Sequence, residues 1–186
     1  MYSAVLDTCA LWSSIRRDFL LSLAAEGLYR PLWNAELLDE LQYEEARKLV
    51  DRGFSEVDAE AQAARLIAAM GTFDDALVEG WEPLAGSYGL PDPDDEHVLA
   101  SAVMAGAGCI VTFNLKDFPA DRVPNGIEVL TPHAFAANAV AVAPELGLHA
   151  VVGMAKRRST SVDLILERLE KSQQMNEAVG MIRGEQ

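Results

Sequence analysis

Short apolar runs alternate with helical segments along the first 135 residues, and this alternation limits the folds that the chain can adopt. The runs with the composition of buried strands are residues 4–6, 29–33, 109–113 and 127–130. Between them, apolar side chains follow helix spacing, with Asn34 as an N-cap and Gly27 and Gly71 as stops. Strands that alternate with helices form a parallel sheet with helices on both faces. We therefore predict an α/β fold with a parallel central sheet.

Two segments between the strands are less regular. Residues 76–84 have the weak pattern of a further strand, which Pro83 would end. Asp92 is a suitable N-cap, and Pro93 follows it in the first helical turn, where proline is favoured. We expect one helix from Pro93 to about residue 105.

The pattern and the charge of the chain both change near residue 135. The whole net charge of −14 lies in residues 1–135, which carry 23 acidic and nine basic side chains, whereas residues 136–186 carry six of each. Only helix spacing is present beyond Pro144. We divide the chain into an α/β domain, residues 1–135, and a helical C-terminal extension, residues 136–186.

Composition excludes several classes of protein. The acidic excess leaves no broad basic surface of the kind that binds duplex DNA. Two cysteines, Cys9 and Cys109, cannot form a disulfide framework or a four-ligand zinc site, and we interpret both as small buried residues. No apolar run approaches the roughly 18 residues of a membrane span, and Asp7 interrupts the first apolar stretch, which argues against a signal peptide. We expect a cytoplasmic protein without membrane contact.

Carboxylates and amides follow the predicted strand ends. They are Asp7, Glu36 and Glu40, Asp95, and the group Thr112, Asn114 and Asp117. Ligands of parallel α/β sheets bind outside the carboxyl ends of the strands, so we expect these side chains to converge. Converging carboxylates repel one another unless a cation neutralises them, and Mg²⁺ or Mn²⁺ prefers such oxygen ligands. The pattern favours a metal site for phosphate chemistry, although acids in first helical turns also act as caps.

Four segments of the chain resemble a known family. They read VLDTCAL, LLDEL, LPDPDDEHVLASAV and VTFNLKDFP, and in this order and spacing they resemble the PIN-domain family, in particular its VapC-like toxin ribonucleases. The resemblance covers roughly residues 2–135. It implies a three-layer α/β/α fold, acids around Mg²⁺ or Mn²⁺, and in-line hydrolysis of RNA by water, which leaves a 5′-phosphate.

The resemblance assigns roles to particular residues. It implies that Asp7, Glu40 and Asp95 are the first three acids and that Thr112 supports the site. Glu36, one turn before Glu40, is the weaker alternative for the second acid.

The fourth position departs from a common pattern of the family. Many members have Thr-x-Asp, whereas this chain has Thr112-Phe113-Asn114, so Asn114 offers an oxygen without a charge. Asp117 is then expected to supply the charge or to orient a water. The predicted catalytic residues are Asp7, Glu40, Asp95 and Asp117, and the predicted metal ligands are these four and Asn114.

Cationic and aromatic residues allow weaker predictions. Arg16 and Arg17 follow the first strand and are expected to bind substrate phosphate. The basic triplet Lys156-Arg157-Arg158 is either a solvated helix end or a contact for RNA or an acidic partner. We expect His97 to be a packed, hydrogen-bonded residue and Trp12 to belong to the core or a dimer surface.

These observations lead to a main hypothesis and two alternatives. The main hypothesis is a metal-dependent endoribonuclease that acts as the toxin of a type II toxin–antitoxin pair, with RNA as substrate, a cognate antitoxin as partner and homodimerisation as a family expectation. The alternatives are a catalytically weakened interaction module and a housekeeping RNA-processing nuclease of the same family. The extension is expected to cover apolar surface or to bind the antitoxin.

Overall fold

A computed structural model describes residues 2–186 and contains a four-stranded parallel sheet. The strands are β1 Ser3–Leu6, β2 Arg30–Leu32, β3 Cys109–Val111 and β4 Glu128–Leu130, in the order β2-β1-β3-β4. Successive side chains of a strand face opposite sides of its sheet. Ala4, Val5 and Leu6 are nevertheless all fully buried, so both faces of the sheet are covered by helices. The predicted three-layer α/β/α arrangement is confirmed.

Residues 2–186 form nine α-helices. They are α1 Thr8–Leu11, α2 Ser14–Ala25, α3 Ala35–Asp51, α4 Glu56–Met70, α5 Glu96–Met104, α6 Pro132–Val142, α7 Pro144–Arg157, α8 Val162–Gln173 and α9 Asn176–Arg183. The predicted cap of α3 is present, since the side chain of Asn34 accepts from the N–H of Leu37, and the side chain of Ser161 caps α8 in the same way by accepting from the N–H of Leu164. Within the described residues no single helix is long and apolar enough to cross a membrane, and α6 and α7 reach that length only together, with a bend of 117° between them.

Two sequence predictions between α4 and α5 need correction. The strand predicted at 76–84 is wrong, because pairing there is limited to a parallel bridge between Trp33 and Leu77. Gly80 then adopts a positive φ of 73°, and a 3-10 turn follows at Glu82–Leu84, so the chain leaves the sheet. The helix predicted from Pro93 starts instead as the 3-10 turn Pro93–Asp95 and becomes α-helical at Glu96.

The extension packs directly on the α/β domain. Helix α7 lies against α2, and α9 lies against α6, which crosses residue 135. Fully buried side chains of α8 and α9, among them Leu169 and Ile182, belong to the same apolar core as β1. At Gly147 an added Cβ would lie 3.1 Å from Ile182 and 3.2 Å from Val140, so glycine permits this close approach.

Two arginines of the basic triplet hold α7 to α2. The guanidinium of Arg157 donates to Asp18 at 2.8 Å and to Ser22 at 2.6 Å. Arg158 donates to the other oxygen of Asp18 at 2.6 Å. These contacts favour a structural role for two of the three cations over contact with RNA.

Candidate functional site

The carboxyl ends of β1 and β3 lie side by side at a cavity of about 530 Å³. The N–H of Asp7 donates to the carbonyl of Val111 at 3.1 Å, which places Asp7 beside Thr112. Among the predicted ligands Asp7, Glu40, Asp95 and Asn114 line this cavity, and Thr8, Cys9, Trp12, Arg16, Glu44 and Phe113 line it with them. The strand ends thus bring together acids that are far apart in the sequence.

The side chain of Asp7 is fixed from one side. It is 5% exposed, and its Oδ2 accepts from the hydroxyl of Thr112 at 2.6 Å and from the thiol of Cys9 at 3.0 Å. The Thr112 oxygen in turn accepts from the N–H of Asn114 at 3.0 Å. Because both donors contact Oδ2, Oδ1 is left for another ligand. Thr112 therefore lies where a supporting role requires it.

Cys9 is only partly buried and is hydrogen-bonded in this network, so its interpretation as a small buried residue needs correction, whereas Cys109 is buried as expected. Burial, and then the charge of Asp7, raise the pKa of the Cys9 thiol to about 12. The thiol keeps its proton at neutral pH and can donate it to Asp7. Its sulfur also accepts from the N–H of Phe113 at 3.2 Å, which ties the loop after β3 to α1.

Glu40 reaches the cavity from α3. Its Oε2 accepts from the hydroxyl of Thr8 at 2.6 Å, and its Oε1 lies 3.4 Å from Nε2 of His97. Burial opposes the charge of Glu40, but the hydrogen bonds from His97 and Thr8 outweigh burial and lower the pKa of its carboxyl. Ligand atoms of Glu36, Glu40 and His97 lie within 4.8 Å of one another, so this group also has the chemistry of a metal site.

Asn34 and Glu40 hold His97 in place. The Oδ1 of Asn34 accepts from the N–H of Leu37, and its amide nitrogen donates to the hydroxyl of Ser101 at 2.8 Å and to the carbonyl of His97 at 3.2 Å, with Nδ1 of His97 at 3.1 Å. On the other side of the ring, Nε2 faces the carboxylate of Glu40, which accepts a hydrogen bond from it. His97 is 5% exposed, and the prediction of a packed, hydrogen-bonded histidine is confirmed.

The carboxylate of Asp95 lies in an environment that disfavours its negative charge. Its Oδ2 is buried and has no hydrogen-bond partner among residues 2–186. Burial, together with the charges of Asp7, Asp92 and Asp117, raises the pKa of Asp95 to about 7. A hard divalent cation would satisfy this oxygen and remove the repulsion, so the residues present fit Mg²⁺ or Mn²⁺.

The structure places the two residues predicted for the fourth position differently. Asn114 is exposed and lines the cavity, whereas Asp117 does not line it. Asp117 closes the 3-10 turn Leu115–Asp117, its side chain is 15% exposed, and its charge acts on Asp95. Which of the two takes the fourth role stays a prediction.

The two adjacent arginines have different environments. Arg16 lines the cavity, and its guanidinium lies 4.6 Å from the ring centre of Phe113. Arg17 is not at the cavity, because it donates to Glu45 at 3.1 Å and to the carbonyl of Leu11 at 2.9 Å. The structure therefore supports a substrate contact only for Arg16.

Exposed aromatic rings flank the acids. Trp12 is 47% exposed and Phe113 is 43% exposed, and both line the cavity. Of the two expectations for Trp12, the core position is therefore wrong, and the dimer surface stays a prediction. Trp12 directly follows the four-residue helix α1, and the ammonium of Lys48 is 5.3 Å from its indole ring.

Glu96 holds the loop next to the site, a supporting role that the sequence did not indicate. Its buried carboxylate accepts from the N–H groups of Gly86, Tyr88 and Leu90 at 2.9–3.2 Å. Burial opposes the charge, but these backbone hydrogen bonds outweigh it and lower the pKa of Glu96. The loop before Asp95 is thereby held to the start of α5.

Comparison with known proteins gives one match. A family model described as PIN domain matches residues 3–116, more than half of the chain. Neither the search of curated proteins nor the search of solved structures returned a match. The matched range contains Asp7, Glu40, Asp95 and Asn114 and ends one residue before Asp117.

Proposed function

The chain belongs to the PIN domain family, whose members are generally metal-dependent nucleases, and we propose that it is an endoribonuclease and the toxin of a type II toxin–antitoxin pair. One observation carries the nuclease proposal. The buried Oδ2 of Asp95, without a partner among the described residues, lies in an acidic cavity where a cation is the natural counter-charge.

The cation would be held by carboxylates from four parts of the fold. They are Asp7 after β1, Glu40 on α3, Asp95 before α5 and Asp117 after β3, with the amide oxygen of Asn114 as a neutral ligand. Bound Mg²⁺ or Mn²⁺ supplies positive charge that makes water more acidic and offsets charge on a phosphodiester.

The remaining groups of the cavity orient the acids and the substrate. Thr112 and Cys9 fix Asp7, while Thr8 and His97 fix Glu40, so little reorganisation is needed when RNA binds. Arg16 can donate to a phosphate oxygen. Hydrolysis in line with the leaving 3′ oxygen would give a 5′-phosphate without a side-chain nucleophile.

RNA binding has to overcome the net charge of −14. The cation, Arg16 and the exposed rings of Trp12 and Phe113 are the local features that favour it, because nucleobases stack on aromatic side chains. The same acidity suits a basic segment of a cognate antitoxin, which complementary charge would draw toward the cavity. Homodimerisation stays a prediction.

Cleavage of a mixed RNA pool tests the proposed activity. We expect purified chain to cut RNA with Mg²⁺ or Mn²⁺ and not with chelator, and we expect Asp7→Asn to be inactive while its circular dichroism spectrum is unchanged. Equal cutting by wild type and Asp7→Asn would indicate a contaminating nuclease. A folded wild type that binds no divalent ion in a calorimetric titration would support the interaction-module alternative instead.

The toxin role needs a separate test. We expect expression of the chain to arrest growth, and co-expression of the adjacent small DNA-binding protein, where such a gene is present, to relieve the arrest. Active nuclease without growth arrest would support the housekeeping alternative.

A stacking role for Trp12 predicts weaker substrate binding. Because stacking on one aromatic ring contributes about 1–3 kcal/mol, we expect Trp12→Ala to raise the KM for RNA about tenfold with little change in kcat. Tyr43→Ala is the matched control, since Tyr43 is 66% exposed and lies outside the cavity. An equal rise in KM for both variants would contradict a specific contact at Trp12.

A further inference from the structure

A residue of the C-terminal extension reaches the candidate active site. The amide oxygen of Gln173, the last residue of α8, accepts from Nη1 of Arg16 at 2.9 Å, across 157 positions of sequence. It is a direct polar contact between the extension and a side chain that lines the cavity.

Arg16 is held at three points. Its Nε donates to the carbonyl of Ala10 at 2.7 Å, and Nη2 donates to the carbonyl of Cys9 at 2.8 Å, so two bonds end on the segment just after Asp7. Gln173 provides the third bond. A guanidinium has five N–H groups, so two of them have no acceptor among these three bonds and can donate to a ligand in the cavity that Arg16 lines. Arg16 is only 8% exposed, and its plane is also fixed against the ring of Phe113.

The position of Gln173 is fixed by its own helix. Ile165, Leu166 and Leu169 of α8 are fully buried in the common core, so the helix cannot slide along the domain. The chain turns sharply after Gln173, because Gln174 adopts a left-handed φ of 59°, and the N–H of Met175 donates to the carbonyl of Leu169 at 3.1 Å.

We propose that Gln173 is a positioning residue of the active site, through which the extension sets the orientation of the Arg16 guanidinium toward the substrate phosphate. This role rests on the proposed function, since it needs a phosphodiester in the cavity. Without Gln173, two bonds to one short backbone segment still hold one side of the guanidinium. Nη1 then loses its only protein acceptor in the described structure, and the group can rotate away from the phosphate.

Cleavage kinetics of single variants, and of one double variant with its Arg16→Ala parent, test the proposal. We expect Gln173→Ala to lower kcat/KM about tenfold, because a small displacement of a substrate-orienting group has a large effect on rate. Gln173→Glu keeps an acceptor oxygen and should recover most of the loss. Gln174→Gly removes the neighbouring exposed amide, suits the left-handed backbone, and should match wild type in rate and in melting temperature.

The double variant Arg16→Ala/Gln173→Ala separates positioning from general destabilisation. If Gln173 acts through Arg16, Gln173→Ala should have no further effect on kcat/KM in an Arg16→Ala background. A full tenfold loss in that background, or a wild-type rate for Gln173→Ala alone, would overturn the proposal.

A measurement without substrate distinguishes this proposal from the proposed function. The Nη1–H resonance of Arg16, assigned from its absence in Arg16→Ala, should shift and exchange faster with water in Gln173→Ala but not in Gln174→Gly, because Nη1 is the atom that donates to Gln173. An unchanged resonance refutes positioning by Gln173, whether or not the chain cuts RNA. If the resonance changes in Gln173→Ala while the wild-type chain cuts no RNA, the link to Arg16 is supported and the nuclease function alone is refuted.

Discussion

Replacing Asp95 by asparagine should make the metal-free protein more stable and remove most of its activity. The carboxyl of Asp95 has a pKa of about 7 in the folded chain, against 3.8 as its ordinary value, because burial and neighbouring acids disfavour its charge. At pH 8 the wild-type chain folds with this charge in place, and asparagine relieves the cost. We expect a gain of about 1–2 kcal/mol in the free energy of unfolding, allowing for partial solvent screening.

The pH dependence of this gain in the free energy of unfolding follows from the direction in which the pKa of Asp95 is shifted. A carboxyl with a raised pKa binds its proton more tightly in the folded chain than in the unfolded chain. Its contribution to stability is therefore lost as the pH rises from about 4 through about 7. The advantage of Asp95→Asn should be largest near pH 8 and should shrink toward pH 5.5, as measured by thermal unfolding in chelator.

Activity should change in the opposite direction. With Mg²⁺ or Mn²⁺ present we expect Asp95→Asn to cut RNA at least about 100-fold more slowly, because a charged ligand is lost. Asp94→Asn is the matched control, since Asp94 is exposed and should affect neither property. A variant that is less stable than wild type in chelator would show that the Asp95 charge is satisfied by the protein itself.

Deletion of residues 145–186 should abolish cooperative folding. The deleted segment contains fully buried Ile165, Leu169 and Ile182, and its removal would expose the faces of α2 and α6 that α7 and α9 cover. Each such side chain contributes about 1.5–3 kcal/mol when buried, so a few of them equal the 5–15 kcal/mol that typically stabilise a domain. We expect no cooperative transition in urea and strong binding of a hydrophobic dye.

Smaller changes control for the size of this deletion. Leu169→Ala should lower the free energy of unfolding by about 2–5 kcal/mol, whereas removal of 184–186, which are exposed, should lower it by less than about 0.5 kcal/mol. A truncated chain that unfolds cooperatively at the wild-type midpoint would show that the extension is an independent unit.

The sequence allowed the sheet, and the position of most of the acids at one edge of it, to be predicted for a physical reason. Parallel strands place their carboxyl ends at one edge, so residues such as Asp7 and Thr112 can be brought together from pattern alone. The prediction of a strand at 76–84 was wrong, because a weak apolar pattern cannot distinguish a strand with a full ladder of backbone hydrogen bonds from the single bridge at Leu77.

The environments of Arg16 and Arg17 could not be separated in the same way. Adjacent residues of a helix project about 100° apart, so one guanidinium reaches the cavity and the other reaches Glu45. Which of the two does so depends on the packing of α2, and the contact with Gln173 depends on α8, far along the chain.

The contact between Arg16 and Gln173 also has a consequence for the order in which the protein is made. A ribosome extends a chain from its amino end, so every acid of the cavity is synthesised before Gln173. If Gln173 orients Arg16 and the extension completes the core, a nascent chain contains every carboxylate before either the domain or the phosphate-binding group is fixed. Such a chain would emerge beside messenger and ribosomal RNA with an incomplete site, and would gain full activity only once α8 had folded onto the domain.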